Sequence, residues 1–513
     1  MEISEIGKLT NYIEENLRAS KLSGISFVDT RNVLTRLQTK QNHVTFGRRG
    51  AGKTGLLNAS ADAASSINIY LNLEDYKNIT FPNILIQILV QTLENLSNQI
   101  GPWYRISPKS HLIKARIKRT CSRLKPYVHQ PDQEVQEIST SETSSDGISG
   151  SVNVRALSGA VNSQRAVSQK IKRTLPLDKL NYLQIELPNY KDLLNEISSI
   201  FKGKPIFLIL DDFYFISKEI QPSLIDYFHT LTKGTNLFLK VATIKYRSKL
   251  YKTESGRYIG VQLGHDILEV DMDYTLDNFN ELRDFMSELL SMAIKGSGAN
   301  VSLEDMFAGD GFSQLCLASG GVPRDFLSLF VALGTNKPNV RIGKNDVTDI
   351  AIQNRDNKMD FLKKDSGDDD VLLENCLAKI KRYVFNIKKT NAFLLSREDL
   401  DNDSSIRQLI RELVDLRLIH LLDDNTSKAP SDGKRYEAYI LDVGLYDNSR
   451  PQSFKQIDPS KRDEKSRKDD IRSSPVISLK VIDKATEGEY IDQRIDDKTV
   501  DILIPRQLQL SFE

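Results

Sequence analysis

The run HVTFGRRGAGKTGLL, residues 43–57, constrains this chain more than any other stretch. It contains G-x-x-x-x-G-K-T as Gly47, Arg48, Arg49, Gly50, Ala51, Gly52, Lys53 and Thr54, with Gly55 following. Val44-Thr45-Phe46 before it is apolar and β-prone, and the sequence after it reads as a helix. A strand, a glycine-rich turn and a helix N-terminus let backbone N–H groups converge on phosphate oxygens. A lysine in this place reaches the terminal phosphates, and a threonine hydroxyl reaches Mg²⁺. Residues 47–55 therefore predict a nucleotide site. No Asn-Lys-x-Asp guanine reader follows in the expected order, which favours ATP over GTP.

Such a loop needs a carboxylate at the end of a neighbouring strand to complete the Mg²⁺ shell. PIFLILDDF supplies one: Asp211 closes a continuous apolar run typical of a central parallel strand. Asp212 stands where a second acid would orient and activate water against the γ-phosphate. Adjacent carboxylates at the end of a buried strand repel one another unless a cation intervenes. Thr54 and Asp211 are thus the expected metal residues and Asp212 the expected base.

Around these motifs the chain alternates helical and strand patterns. SINIYLNLEDY (66–76), NLFLKVATIKY (236–246) and DILEVDMDY (266–274) read as strands, and residues 81–100 and 190–202 as helices. This predicts an α/β parallel-sheet P-loop NTPase core over 1–275, with N-terminal helices. Residues 105–175 interrupt it with a basic stretch and then polar, Ser-rich sequence too poor in large apolar groups to form a core, so 125–175 is expected to be mobile in the isolated chain. A helical lid is expected over 276–365. Residues 366–448 then read as helix, short strand, helix and two strands around a polar loop at 424–435, a winged-helix pattern. A charged linker and short β-rich tail complete the chain over 449–513.

Composition narrows the class. With 513 residues two or three domains are expected, and 70 basic against 69 acidic residues confine any nucleic-acid surface to a local patch. The three cysteines are far apart and fit neither a disulfide framework nor a CxxC site. No apolar run approaches a membrane span and the first residues do not form a signal peptide, so a soluble, cytoplasmic protein is expected.

The order of phosphate loop, Asp-Asp strand end, lid with GGVPR and winged helix resembles the AAA+ ATPases of the origin-recognition and initiator type, over roughly residues 25–445 without the insertion. By that resemblance Thr243 takes the place of sensor 1 and Arg324 that of sensor 2. An arginine given to a neighbouring subunit in a homo-oligomer is Arg247 or Arg257. The family usually has glutamate in the second acid position and asparagine as sensor 1, so Asp212 implies slow turnover. The winged helix is the expected contact with double-stranded DNA, with Arg407, Arg411 and Arg417 on its second helix and Lys428, Lys434 and Arg435 on its wing. Glu412, Asp415, Asp423 and Asp424 interleave, so protein docking stays open. Two functions follow: an ATPase coupling nucleotide state to assembly on DNA, and a nucleotide-gated switch acting with a partner effector protein, as in bacterial antiviral defence modules. The cations of Lys114, Arg116, Lys118, Arg119 and Arg123 take up most of one face of a short helix expected in the insertion, a second basic patch.

Overall fold

The structure, a computed structural model of the 513-residue chain, describes residues 5–17, 27–63, 65–100, 107–129, 179–337, 340–365, 370–447, 451–459, 461, 468–479 and 482. The polar part of the insertion and most of the tail lie outside these residues.

A five-stranded, wholly parallel sheet carries the first part of the chain. Its strands are β1 (His43–Phe46), β2 (Ile67–Asn72), β3 (Ile206–Asp211), β4 (Leu237–Thr243) and, beyond a hairpin of β5 (Tyr251–Glu254) and β6 (Arg257–Gly260), β7 (Leu268–Asp271). Their order is β2-β3-β4-β1-β7. β3 is buried throughout because it is apolar on both faces. Ile206, Leu208 and Leu210 join one cluster, beneath helices Asn83–Gln99, Leu187–Ile200 and Gln221–Thr232. Phe207 and Ile209 join the other, with Leu56 and Leu57 of helix Lys53–Ala63. The carboxyl ends of β1, β3, β4 and β7 open onto one crevice, where an open parallel sheet takes ligands.

Three parts of the sequence reading change. The short helix expected in the insertion is a long one, Pro108–His129, and it buries Ile113, Ile117, Cys121 and Leu124 against the sheet's outer helices. Its i, i+4 stripe lies hidden among cations in the sequence. The N-terminal helix, Glu5–Asn16, packs with the lid helices through Leu9 and Ile13. Gly296 and Gly334 admit it, since a Cβ at either would strike Tyr12 or Thr10. Part of the expected linker is packed as well: Ile457, Ile471 and Ile477 are buried, and Leu394 exchanges backbone hydrogen bonds with Pro475 and Ile477.

The lid helices Phe279–Ser297, Gly311–Ala318 and Pro323–Asn336 share one apolar core with the C-terminal unit. That unit runs helix Asp370–Lys381, β8 (Ala392–Ser396), helices Arg397–Asn402 and Ser404–Asp415, β9 (Ile419–Thr426) and β10 (Tyr436–Leu441), with an antiparallel sheet ordered β8-β10-β9. No described helix is long and apolar enough to cross a membrane.

The glycine pair before Val322 lies at this junction. Gly321 has φ +83°, and a Cβ there would sit 2.1 Å from the Tyr274 carbonyl oxygen. Backbone cannot yield as a flexible side chain does. Gly321→Ala is therefore expected to destabilise the chain by about 2 kcal/mol or more, through the strained φ and the overpacking together. The measurement is the denaturant midpoint; an unchanged midpoint would refute the fixed geometry of this turn.

Candidate functional site

The phosphate loop leaves β1 and closes against the lid. Gly50 and Gly52 have φ of +87° and +94°, a region that suits glycine. A Cβ on Gly50 would approach that of Arg324 to 2.9 Å, and the Arg324 N–H donates to the Gly50 carbonyl at 3.3 Å. Lys53 is buried, and its ammonium folds back to donate to the carbonyls of Gly47 (2.9 Å) and Arg48 (3.3 Å). Burial lowers the Lys53 pKa, opposed by the charges of Asp212, Asp211 and Asp273. The ammonium therefore rests on weak internal acceptors, a few ångströms from where an anion would sit.

Asp211 is 1% exposed and fully engaged. Its Oδ2 accepts from the Thr54 hydroxyl at 2.7 Å and from the Tyr70 phenol, and its Oδ1 from the Asp212 N–H at 2.9 Å. A hydroxyl and a carboxylate in contact beside a phosphate loop suit Mg²⁺, which takes one or two carboxylates and completes its octahedron with phosphate oxygens and water. Asp212 is half-buried at φ +54°, in a conformation that few non-glycine residues adopt. Burial, and then repulsion from Asp211, push its carboxyl up to about 6.

Thr243 ends β4 opposite Phe46; its carbonyl accepts from the Gly47 N–H at 3.1 Å, while its hydroxyl pairs with Ser248. Arg324 is exposed, within electrostatic reach of Arg49 and Asp212. The side chain of Arg48 turns away from the loop mouth: its guanidinium donates to the carbonyls of Gly320 (2.8 Å) and Tyr274 (3.0 Å) and pairs with Asp273 at 3.4 Å, while the Arg48 backbone N–H donates to Asp273 at 2.9 Å. The two arginines offered for a neighbouring subunit separate. Arg247 lies 5.5 Å over the ring of Tyr214, which Lys53 approaches to 5.9 Å. Arg257 is exposed at the start of β6.

The C-terminal helix Ser404–Asp415 docks on the loop that follows Thr243. Asp415 accepts from the Tyr246 N–H at 3.1 Å, Gln408 donates to the Tyr246 carbonyl at 3.0 Å, and Arg411 lies 4.8 Å over its ring. Residues 408, 411 and 415 share one helical face. Burial, and then the charge of Asp273, push the Asp415 carboxyl up to about 8. Arg407 pairs with Asp401 and Glu437, and Arg417 with Asp325 at 2.6 Å. The three arginines expected to face DNA are thus engaged within the chain. On the insertion helix, by contrast, no ion pair among the described residues engages Lys118, Arg119 or Arg123.

Several site residues escaped the sequence reading. A narrow cleft of about 20 Å³ lies beside Ala51, lined by Phe27, Val28, Met272, Tyr274 and Phe285, with Asp29, Arg31 and Asp271 at its polar edge. Tyr274 stacks on Phe285 with centroids 4.0 Å apart, and Arg31 covers the Tyr274 ring at 4.0 Å. Tyr70 carried one signal, the alternation of INIYLN, which puts residues 68, 70 and 72 on one face. Tyr246 carried none, since its partners lie more than 160 residues away.

Among known proteins, the profile of the ORC-CDC6-like family matches residues 109–310. That stretch holds the basic helix, Asp211, Asp212, Thr243, Arg247 and Arg257, with the phosphate loop and Arg324 outside it. Among solved structures, the ORC1 protein of Aeropyrum pernix in complex with DNA is similar at 14% identity and a TM-score of 0.31, over 85% of this chain and 88% of that one. No curated protein matches. Over the matched stretch the chain is similar to the AAA+ ATPases of the origin-recognition and initiator type.

The environment of Asp212 has a measurable consequence. Its proton binds more tightly in the folded chain than in the unfolded one, so ionisation above pH 6 weakens the nucleotide-free fold, and the penalty fades as pH falls towards 4. Asp212→Asn is expected to raise stability at pH 8 by about 1–2 kcal/mol relative to its effect at pH 4.5. Thermal unfolding at both pH values checks this; an equal effect at both would remove the charge penalty.

Proposed function

We propose that this chain is an ATP-binding and ATP-hydrolysing AAA+-like enzyme of the origin-recognition and initiator type, which couples its nucleotide state to oligomeric assembly on DNA. One observation carries the reading: Lys53, Thr54, Asp211 and Asp212 converge at the carboxyl ends of β1 and β3, with the Thr54 hydroxyl 2.7 Å from Asp211. The triphosphate occupies the loop from Gly47 to Gly55, and Lys53 exchanges its carbonyl acceptors for phosphate oxygens. Thr54 and Asp211 hold Mg²⁺, which when bound neutralises charge building on the phosphoryl oxygens. Asp212 accepts the proton of the attacking water, and a carboxyl at about 6 is ionised yet basic enough for this near neutral pH. Arg324 and Arg49 supply positive charge at the open side. Phe27 and Met272, whose side chains lie beside Gly52, offer apolar surface for the purine ring.

Lys53→Ala is expected to weaken ATP binding at least tenfold, as the phosphates lose their point counter-charge. Asp212→Asn should bind ATP normally and lose turnover by about 10²–10⁴-fold, the range of general-base catalysis. Nucleotide titration and steady-state phosphate release test both, and undiminished turnover in Asp212→Asn would remove Asp212 from that role.

Assembly and DNA contact form the finer part of the proposal. The C-terminal unit reads as a winged helix whose helix Ser404–Asp415 is occupied, so its wing, with Lys428 and Arg435, and the basic helix Pro108–His129 are the surfaces proposed for the phosphate backbone. The docking of Ser404–Asp415 on Tyr246 also suits the second reading, a nucleotide-gated switch with a partner effector protein, because it links the C-terminal unit to the loop after Thr243. Arg257, on its exposed hairpin, is the residue proposed to reach a neighbouring subunit. Sedimentation with a non-hydrolysable ATP analogue should show a larger species, and Arg257→Ala should reduce it. A strict monomer in both states, with full activity, would sink the trans-arginine.

A further inference from the structure

Tyr70 lies on β2, at the edge of the sheet, and is 37% exposed. An exposed edge tyrosine ordinarily keeps its phenol in water. This one donates to Asp211 Oδ2, the same oxygen that accepts from Thr54. The strand register explains the reach. Asn72 pairs with Asp211 and Tyr70 with Ile209, so Tyr70 shares a face with Asp211, the face on which the phosphate-loop helix packs. The phenol leans along the strand towards the carboxyl ends, where the crevice opens. A carboxylate can only accept, so the phenol is the donor in this contact.

Without Tyr70, Oδ2 would be held by the Thr54 hydroxyl alone, and a hydroxyl that ligates a cation must reorient. Oδ1 is fixed by the backbone N–H of Asp212, which cannot turn towards the crevice. The phenol is therefore the side-chain donor that can keep Oδ2 facing Thr54 while the Thr54 oxygen changes partner. We propose that Tyr70 is a positioning residue for the divalent cation, fixing Asp211 in the orientation that receives the metal–nucleotide complex without itself touching the phosphates. Sequence motifs miss it because it acts from the neighbouring strand.

The proposal rests on the ATP·Mg²⁺ reading above, and its test separates the two. The probe is Mn²⁺, titrated by electron paramagnetic resonance into the full chain saturated with a non-hydrolysable ATP analogue. Analogue affinity is measured separately in EDTA. Tyr70→Phe keeps the ring and removes only the hydroxyl. It should weaken Mn²⁺ binding about tenfold, as loss of an outer-sphere hydrogen bond does, and leave analogue affinity in EDTA within about twofold. Mn²⁺ affinity equal to or above that of the unsubstituted chain overturns the proposal, as does a parallel loss of analogue affinity in EDTA, which marks general damage to the crevice. An unsubstituted chain that binds no analogue overturns the ATP reading, and this proposal with it.

Discussion

The buried guanidinium of Arg48 is the contact on which the arrangement of the site depends. At 4% exposure its charge has left water, and it is held by the carboxylate of Asp273 and the carbonyls of Tyr274 and Gly320. A buried charge that loses such partners costs several kcal/mol. The phosphate loop, the chain leaving β7 and the turn before the lid helix therefore cannot separate without exposing that cost. Packing alone, which is non-directional, would not fix their mutual orientation so narrowly. The loop is shaped by its glycines; it is placed by an arginine whose side chain faces away from the phosphates.

The crevice balances charges that few globular interiors hold together. Lys53 sits among Asp211, Asp212 and Asp273, yet its ammonium bonds only to carbonyls. Asp212 keeps a backbone conformation unfavourable to it, with its charge opposed by burial and by Asp211. Such unresolved local conflicts mark sites where binding supplies the missing partner. A polyanion with a divalent cation answers each of them at once.

Much of this was legible locally. The phosphate loop and the Asp211–Asp212 pair are contiguous motifs, and the apolar run of β3 announces a strand buried on both faces. The parallel sheet followed from the alternation of such strands with amphipathic helices. What escaped depends on distant partners. The helix of the insertion looked like a solvated basic face, because its buried residues Ile113, Ile117, Cys121 and Leu124 are spaced among cations. The hairpin Tyr251–Gly260 is too exposed to show a burial pattern. Arg407, Arg411 and Arg417 read as a DNA-facing set, since nothing in their spacing reveals Tyr246, Asp401 or Asp325. Arg48 belonged to a phosphate-binding motif, and only the folded chain shows its side chain committed elsewhere.

One contact binds the histories of two distant segments. Gly320 lies under the imidazole of His420, where a Cβ would come within 2.0 Å of the ring. That ring is itself held by Asp442, which also binds Lys358. A larger residue at 320 meets two obstacles, the ring of His420 and a φ of +57° that favours glycine, and a reduced 420 would cost Asp442 one of its partners. The glycine in the lid signature is thus kept by the C-terminal sheet rather than by the nucleotide. Among related chains, that glycine should persist even in descendants that no longer bind nucleotide.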